Sequence, residues 1–383
     1  MKTRIFLIIF CCLSGQGYLY AQNLYNQSVI SIGSSSVLYV KDTIINQGTI
    51  VNNGDMQVGG SWINNAQYDA GQGQITFNSD LRQIINHNDQ SFSRLTISGG
   101  GEKVFLADIT IENELHLTDG ILVSENNSRI VLSATAEVTG GSDHAHVRGA
   151  VYHLGEGDKI FPVGNGTVYL PVELLNIKGA SSEVGVNVTE LNGVILAKSP
   201  SLDAISSSRY WELDVISGSL NNSLIILPVR DESIVGEPEA VIVSQSDDLL
   251  ENFEGLGGTD FQGSASDGKV TSKEFVSKRY VAIAISSDDS SLIVYNAVSP
   301  NNDGFNDYLI IGNIESYPEN RFTLFNRWGD KVFEIDNYDN KERVFRGKTN
   351  VGGEKILVNG TYFYTLVTKK NSLRVNGFIA LKN

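Results

Sequence analysis

A six-residue repeat constrains this chain more than any other feature. Residues 45–50 (Ile-Asn-Gln-Gly-Thr-Ile), 51–56 (Val-Asn-Asn-Gly-Asp-Met), 57–62 (Gln-Val-Gly-Gly-Ser-Trp) and 63–68 (Ile-Asn-Asn-Ala-Gln-Tyr) align end to end. The fourth place is Gly48, Gly54, Gly60 and Ala66, and the sixth is Ile50, Met56, Trp62 and Tyr68. Small turn residues followed by a regularly placed large apolar residue suit a stacked solenoid. One rung cannot bury its apolar side chain alone, and its neighbours cover it. Short β-rich runs continue the pattern more loosely to residue 132, separated by Gly, Asn, Asp or Ser. Residues 22–140 are therefore expected to form a short β-solenoid, parallel β-helix-like, with roughly 20 to 25 residues per coil. Period alone does not fix strand direction, so a series of antiparallel hairpins is the alternative.

The rest of the chain also reads as all-β. Residues 141–286 comprise a β-rich transition and a middle β-sandwich. Strands are expected at 147–152, 159–164, 184–188, 210–215, 224–229, 240–244 and 280–285, with Trp211 anchoring a core. Residues 249–269 read as a long loop rich in Gly, Ser and Asp, and the small polar residues 287–292 as a hinge. Beyond it, residues 293–383 alternate short apolar runs with turns, as expected of an Ig-like antiparallel sandwich of about seven strands.

The N-terminus has the pattern of a secretory signal peptide over residues 1–21. Lys2 and Arg4 precede an apolar run too short to span a bilayer, and a cleavage point follows between Ala21 and Gln22. This pattern calls for the Sec translocon. Cys11 and Cys12 are the chain's two cysteines, and both lie inside that segment. The remainder can form no disulfide, cysteine-bound zinc site or dithiol redox centre. Charge is uneven. Residues 293–383 carry 12 Lys and Arg against 10 Asp and Glu, whereas residues 22–292 carry 15 against 34, a net −19. Such a surface repels nucleic acid and anionic lipid and favours solubility outside the cell.

Five ordered motifs mark the tail. It opens with Ser299-Pro300-Asn301-Asn302-Asp303-Gly304-Phe305-Asn306-Asp307 and continues with Tyr317-Pro318-Glu319-Asn320. Phe325-Asn326-Arg327-Trp328-Gly329, Lys331-Val332-Phe333 and Asn359-Gly360-Thr361-Tyr362-Phe363-Tyr364 follow. Together they resemble the gliding motility-associated C-terminal domain, the type B sorting domain of the Bacteroidota type IX secretion system. Two places depart from that pattern: Val344-Phe345-Arg346-Gly347 stands where the family often has Trp-Asp-Gly, and Leu357-Val358 where it has Leu-Pro. The resemblance covers about a quarter of the chain. It implies export across the outer membrane to the cell surface or medium, with the type IX machinery and a PorP/SprF-like outer-membrane protein as partners. It implies no catalytic activity.

Asn301, Asp303 and Asp307 place oxygens at positions one, three and seven around a glycine turn, as calcium loops do, but Gly312 stands where a bidentate glutamate belongs. An Asx-rich turn and a bound calcium are the two readings. His144 and His146 would share one strand face as metal ligands can, with Asp143 adjacent. No nucleophile elbow, zincin motif or phosphate-binding loop is present. Trp62, Trp211 and Trp328 could stack on sugars, but each is placed for packing. The reading that follows is a non-enzymatic, adhesin-like exported protein. A secreted polysaccharide-active enzyme, or a module binding extracellular glycan or calcium, is the alternative.

Overall fold

The computed structural model describes residues 18–125, 128–234, 240–262, 268–287, 292–301, 303–369 and 374–382. Most of the expected leader (1–17), residues 288–291 of the expected hinge (287–292), Asn302 and residues 370–373 lie outside the described residues. The chain divides into two compact units, Met1–Ser287 and Asp288–Asn383. Apart from the short 3-10 turn Ile314–Ser316, the named elements are strands.

The first unit begins as a three-sided parallel β-solenoid of about six turns. One side stacks Tyr18–Ala21, Val37–Val40, Asp55–Val58, Gln74–Phe77, Ser91–Ile97, Ile109–Leu117 and Glu137–Gly140, all in parallel. A second stacks Leu24–Asn26, Ile44–Asn46, Trp62–Asn64, Gln83–Asn86, Gly100–Phe105, Gly120–Ser124 and Ala145–Arg148. The third starts with Val29–Ile32, Thr49–Asn52 and Gln67–Asp69. The parallel pairing replaces the hairpin alternative.

Each hexad supplies one side, so three hexads close one turn. Val37 pairs with Asp55, Ile44 with Trp62 and Thr49 with Gln67, a rung of 18 residues. These first rungs are shorter than the expected 20 to 25 because each of their corners takes only two or three residues; later pairings such as Gln74 with Arg94, Trp62 with Ile85 and Leu122 with Val147 are offset by 20, 23 and 25 residues, as expected. The sixth-place residues Ile50, Met56, Trp62 and Tyr68 are all buried. The fourth-place glycines are required by close approach of the rungs. A Cβ on Gly48 would lie 2.1 Å from the Ser28 carbonyl oxygen, and one on Gly54 2.3 Å from that of Gly33. Ala21 ends the first strand and Gln22 follows in an exposed bend. Cleavage between them would remove one strand of the first rung.

Polar groups inside the solenoid form continuous chains. Asn26 Nδ2 donates to Asn46 Oδ1 and Asn46 Nδ2 to Asn64 Oδ1, both at 2.7 Å. Each asparagine oxygen also accepts an amide two residues on, from Ser28, Gly48 and Ala66 respectively, which closes the corner. The ladder ends at buried His87, whose Nδ1 accepts from Trp62 Nε1 at 3.0 Å while Nε2 lies 3.2 Å from the Ser91 carbonyl. The imidazole stacks on Phe92 at 3.8 Å, and burial lowers its pKa to about 4. Lys103, which carried no sequence signal, is also buried. Its ammonium donates to the carbonyls of Ser79 (2.7 Å) and Gly101 (2.9 Å), tying its own strand to the preceding rung, and desolvation lowers its pKa to about 8.

The solenoid runs into the middle sheets without a break in the core. The parallel ladder continues past residue 140 through Ala145–Arg148 and Val151–Leu154. Residues 147–152, read as one strand, are two strands on different sides, divided at Gly149 (φ +131°) where a Cβ would meet Ser124 Oγ at 2.1 Å. The 19-residue strand Val172–Glu190 then joins the parts. Its first half pairs antiparallel with Gly157–Phe161 and Leu224–Pro228. Its second half pairs with Val151–Leu154, the last solenoid rung, and with Arg209–Ser219. Tyr280–Ser286 extends the latter sheet with Val241–Ser246 and Leu202–Ile205. The expected loop at 249–269 contains two short strands, Glu254–Gly255 and Thr259–Gln262. Buried Phe253 and Leu256 hold it against the sheet. One hydrophobic cluster runs from Ile32 to Ile285.

The second unit has its own core. Its described residues form seven strands. Five make a sheet in the order Ala297–Val298, Arg374–Leu381, Gly360–Thr368, Asn320–Phe325, Lys331–Asp336, and Ile293–Val294 pairs separately with Ile311–Gly312. The expected antiparallel arrangement is corrected at one edge, where Ala297–Val298 lies parallel to the last strand. Tyr362, Tyr364 and Leu366 face inward and Phe363 outward, as the alternation predicts. Tyr338 OH donates to the Leu309 carbonyl (2.5 Å) and accepts the Phe345 amide (2.9 Å), and buried Asn320 bridges the Tyr317 and Tyr338 backbones. Phe345 thus belongs to the core at the site of the Trp-Asp-Gly departure.

Candidate functional site

Strand register brings three of the tail motifs to one end of the five-stranded sheet. Val298 pairs with Leu381, and Leu381 with Gly360. Phe325 pairs with Phe363, so the chain running on into Asn326 passes beside residues 360–362. The loop 299–307, the turn 326–330 and the segment leading into Gly360 therefore emerge together. Arg327 carries the contact: its Nη2 lies 3.8 Å from where a Gly360 Cβ would be, and its charge acts on the Tyr362 hydroxyl. Tyr362 OH donates to the Val358 carbonyl at 2.8 Å, tying the approach segment to the strand. Thr361, beside it, is exposed.

The turn Asn326–Asp330 is held by one side chain. Asn326 Oδ1 accepts the amides of Trp328 and Asp330, each at 2.9 Å, and Asn326 Nδ2 donates to Asp330 Oδ2 at 2.9 Å. Gly329 takes a φ of +87° and donates its amide to the Asn326 carbonyl, a conformation glycine adopts without strain. This turn presents Trp328 to solvent, 78% exposed, with the Arg327 guanidinium 5.3 Å from the ring centroid. Packing was the expected use of all three tryptophans. It describes buried Trp62 and Trp211, and is wrong for Trp328. The available signal was local: an aromatic residue between Asn-Arg and Gly-Asp sits in a turn and has no core-facing strand position.

The loop 299–307 uses its oxygens on its own backbone. Asn301 Oδ1 accepts the Asp303 amide (3.2 Å), Asp303 Oδ1 the Phe305 amide (2.8 Å) and Asp307 Oδ2 the Gly304 amide (2.9 Å). Asn301 Nδ2 donates to Asp303 Oδ2, and the Ser299 amide to the Asn306 carbonyl. The Phe305 amide, then the Asn301 side chain, hold the Asp303 carboxyl below its ordinary pKa. Gly304 and Asn306 take positive φ. Pro300 is half-buried. These are nested Asx turns. Among the described residues no group of three or more His, Cys, Asp and Glu side chains is placed to hold a metal ion.

The histidine reading is corrected. His146 is buried, its Nδ1 3.1 Å from the Ser142 carbonyl and its Nε2 accepting the Gly166 amide at 3.0 Å, so both ring nitrogens are engaged. His144 is exposed before the strand Ala145–Arg148 and does not share that face. Asp143 is paired with Arg230 through both oxygens, at 2.6 and 2.9 Å. These contacts pin the last solenoid rung to the middle sheets.

A family profile for the CHU_C type IX secretion signal domain matches residues 292–381. That is the region whose motifs resemble the gliding motility-associated sorting domain, and a signal of this kind implies export by the type IX system to the surface or medium. Comparison with curated proteins and with solved structures finds no match to the chain.

Proposed function

We propose that this protein is a non-enzymatic, adhesin-like structural protein of the cell surface or extracellular matrix, of the gliding-motility type. Its route begins with the Sec translocon, directed by residues 1–21, and ends with the type IX machinery acting with a PorP/SprF-like outer-membrane protein. The observation that carries the reading is the pairing of a C-terminal export signal with a passenger whose inner polar groups are engaged in holding its rungs together. The Asn26–Asn46–Asn64 ladder, His87 and Lys103 each bond to neighbouring turns. A load-bearing spacer needs such rigidity, and a hydrolase or lyase needs groups aimed at a substrate instead.

Deleting 288–383 tests the route: the passenger is expected to stay in the periplasm of a type IX-competent host, and its appearance outside would overturn the export reading. A polysaccharide array tests the passenger. No cleavage product is expected. Cleavage would establish the enzyme alternative, and retention without cleavage would make the protein a glycan-binding module.

A further inference from the structure

We propose that the end of the signal domain bearing Trp328 is the surface gripped by the export machinery. Trp328 fills an apolar pocket of the partner protein and Arg327 meets a carboxylate at its rim. The inference rests on the export reading and adds where and how recognition occurs.

Three observations converge on this surface. First, Trp328 is a large side chain left 78% exposed by its turn. Tryptophan and arginine are the residues that most often dominate binding energy at protein interfaces. Second, the indole is pre-positioned. The Asn326 side chain fixes the turn at both ends, and Arg327 lies over one ring face, so little conformational freedom is lost on docking. Third, neighbouring loops at the same end expose further apolar side chains: Phe305 (76%), Val358 (72%) and Ile356 (70%). Apolar side chains exposed by separate loops at one sheet end suit an interaction surface. Sugar stacking suits the site less well, since Arg327 already covers one face of the indole.

The experiment uses the full-length chain in a type IX-competent host, scoring surface plus medium against periplasm. Trp328→Ala and Arg327→Glu are compared with deletion of 288–383 and with Leu250→Ala, an 82% exposed passenger position. Export is expected to fall about ten-fold or more for Trp328→Ala, similarly for Arg327→Glu, and not at all for Leu250→Ala. Hydrogen exchange over 293–382 should remain that of the parent. If Trp328→Ala fails to fold, Val358→Asp, which leaves the turn intact, carries the test. Normal export of a folded Trp328→Ala chain, with the deletion still blocked, would overturn this inference and leave the export reading standing. Export of the deletion chain would remove that reading itself. Loss of array binding with export intact would reassign Trp328 to glycan.

Discussion

Both units bury aromatics in their cores, but they differ in their polar groups and in what they leave on the surface. In the solenoid, asparagine amides, a histidine and a lysine are drawn inside and bonded from rung to rung, while the aromatics Trp62, Tyr68, Phe77 and Phe92 pack against each other in the core. In the signal unit, two buried residues, Asn320 and Tyr338, hold the backbone, and aromatics are left outside at Phe305, Trp328, Phe363 and Phe378. A repeat must satisfy every rung in the same manner, so its specificity is internal and serves stability. A signal must be read by another molecule, so its specificity lies on the surface.

The sharpest break of this contrast is Trp62→Ala. It removes a fully buried indole and strips His87 of its donor. A loss of about 3–5 kcal/mol is expected in the first unit, measured by denaturant unfolding with hydrogen exchange read separately over each unit, and the signal unit should not change. Acid comes next. Burial lowers the pKa of both His87 and His153 to about 4. The folded values lie below the unfolded one, so the unfolded state binds the extra proton as pH falls from 6.5 to 4. Stability is full above that window and is lost within it, by about 3 kcal/mol for each histidine. All five histidines lie in the first unit. Its melting temperature should fall across the window while that of the signal unit stays level, and His87→Phe should shallow the slope. A parallel decline of both units would refute the assignment.

Asn46→Leu probes the ladder more gently. It leaves the Gly48 amide without its side-chain acceptor and takes one partner each from the Asn26 amide and the Asn64 oxygen, at about 1–3 kcal/mol for a stranded group, and should raise exchange in the rungs on either side. Trp328→Ala should change stability by less than about 0.5 kcal/mol, so a mutation neutral in the melting curve and severe in export would confirm that the two units use aromatics differently. The smallest effect expected is none: with the oxygens of Asn301, Asp303 and Asp307 accepting amides of their own loop, chelation of calcium should leave the signal unit's melting temperature unchanged. A chelator-induced drop would restore the calcium reading.

Much of this was legible from residue order. The hexads told of stacked rungs because place six must be apolar and place four small in every turn. The tail alternation placed Tyr362, Tyr364 and Leu366 inward because strand side chains alternate. Less legible were features set by partners distant in sequence. His146 was read as a ligand candidate because strand spacing was assumed for 144–146, whereas His144 lies ahead of the strand and Gly166 supplies the second bond to His146. Residues 249–269 looked like a loop by composition, yet Phe253 and Leu256 are captured by a sheet built from strands on either side. Lys103 had no local pattern, since the Ser79 carbonyl it reaches lies 24 residues away.

By itself, the sequence determined the all-β character, the stacking of hexad repeats and the export signal, because each rests on local periodicity or contiguous motifs. Tertiary structure decided strand direction, the continuity of the solenoid with the middle sheets through Val172–Glu190, and the meeting of residues 299–307, 326–330 and 358–361 at one sheet end. Those depend on hydrogen-bond register between distant strands. Register is fixed only when the whole hydrophobic pattern is buried together, since a one-residue slip would turn each inward side chain out.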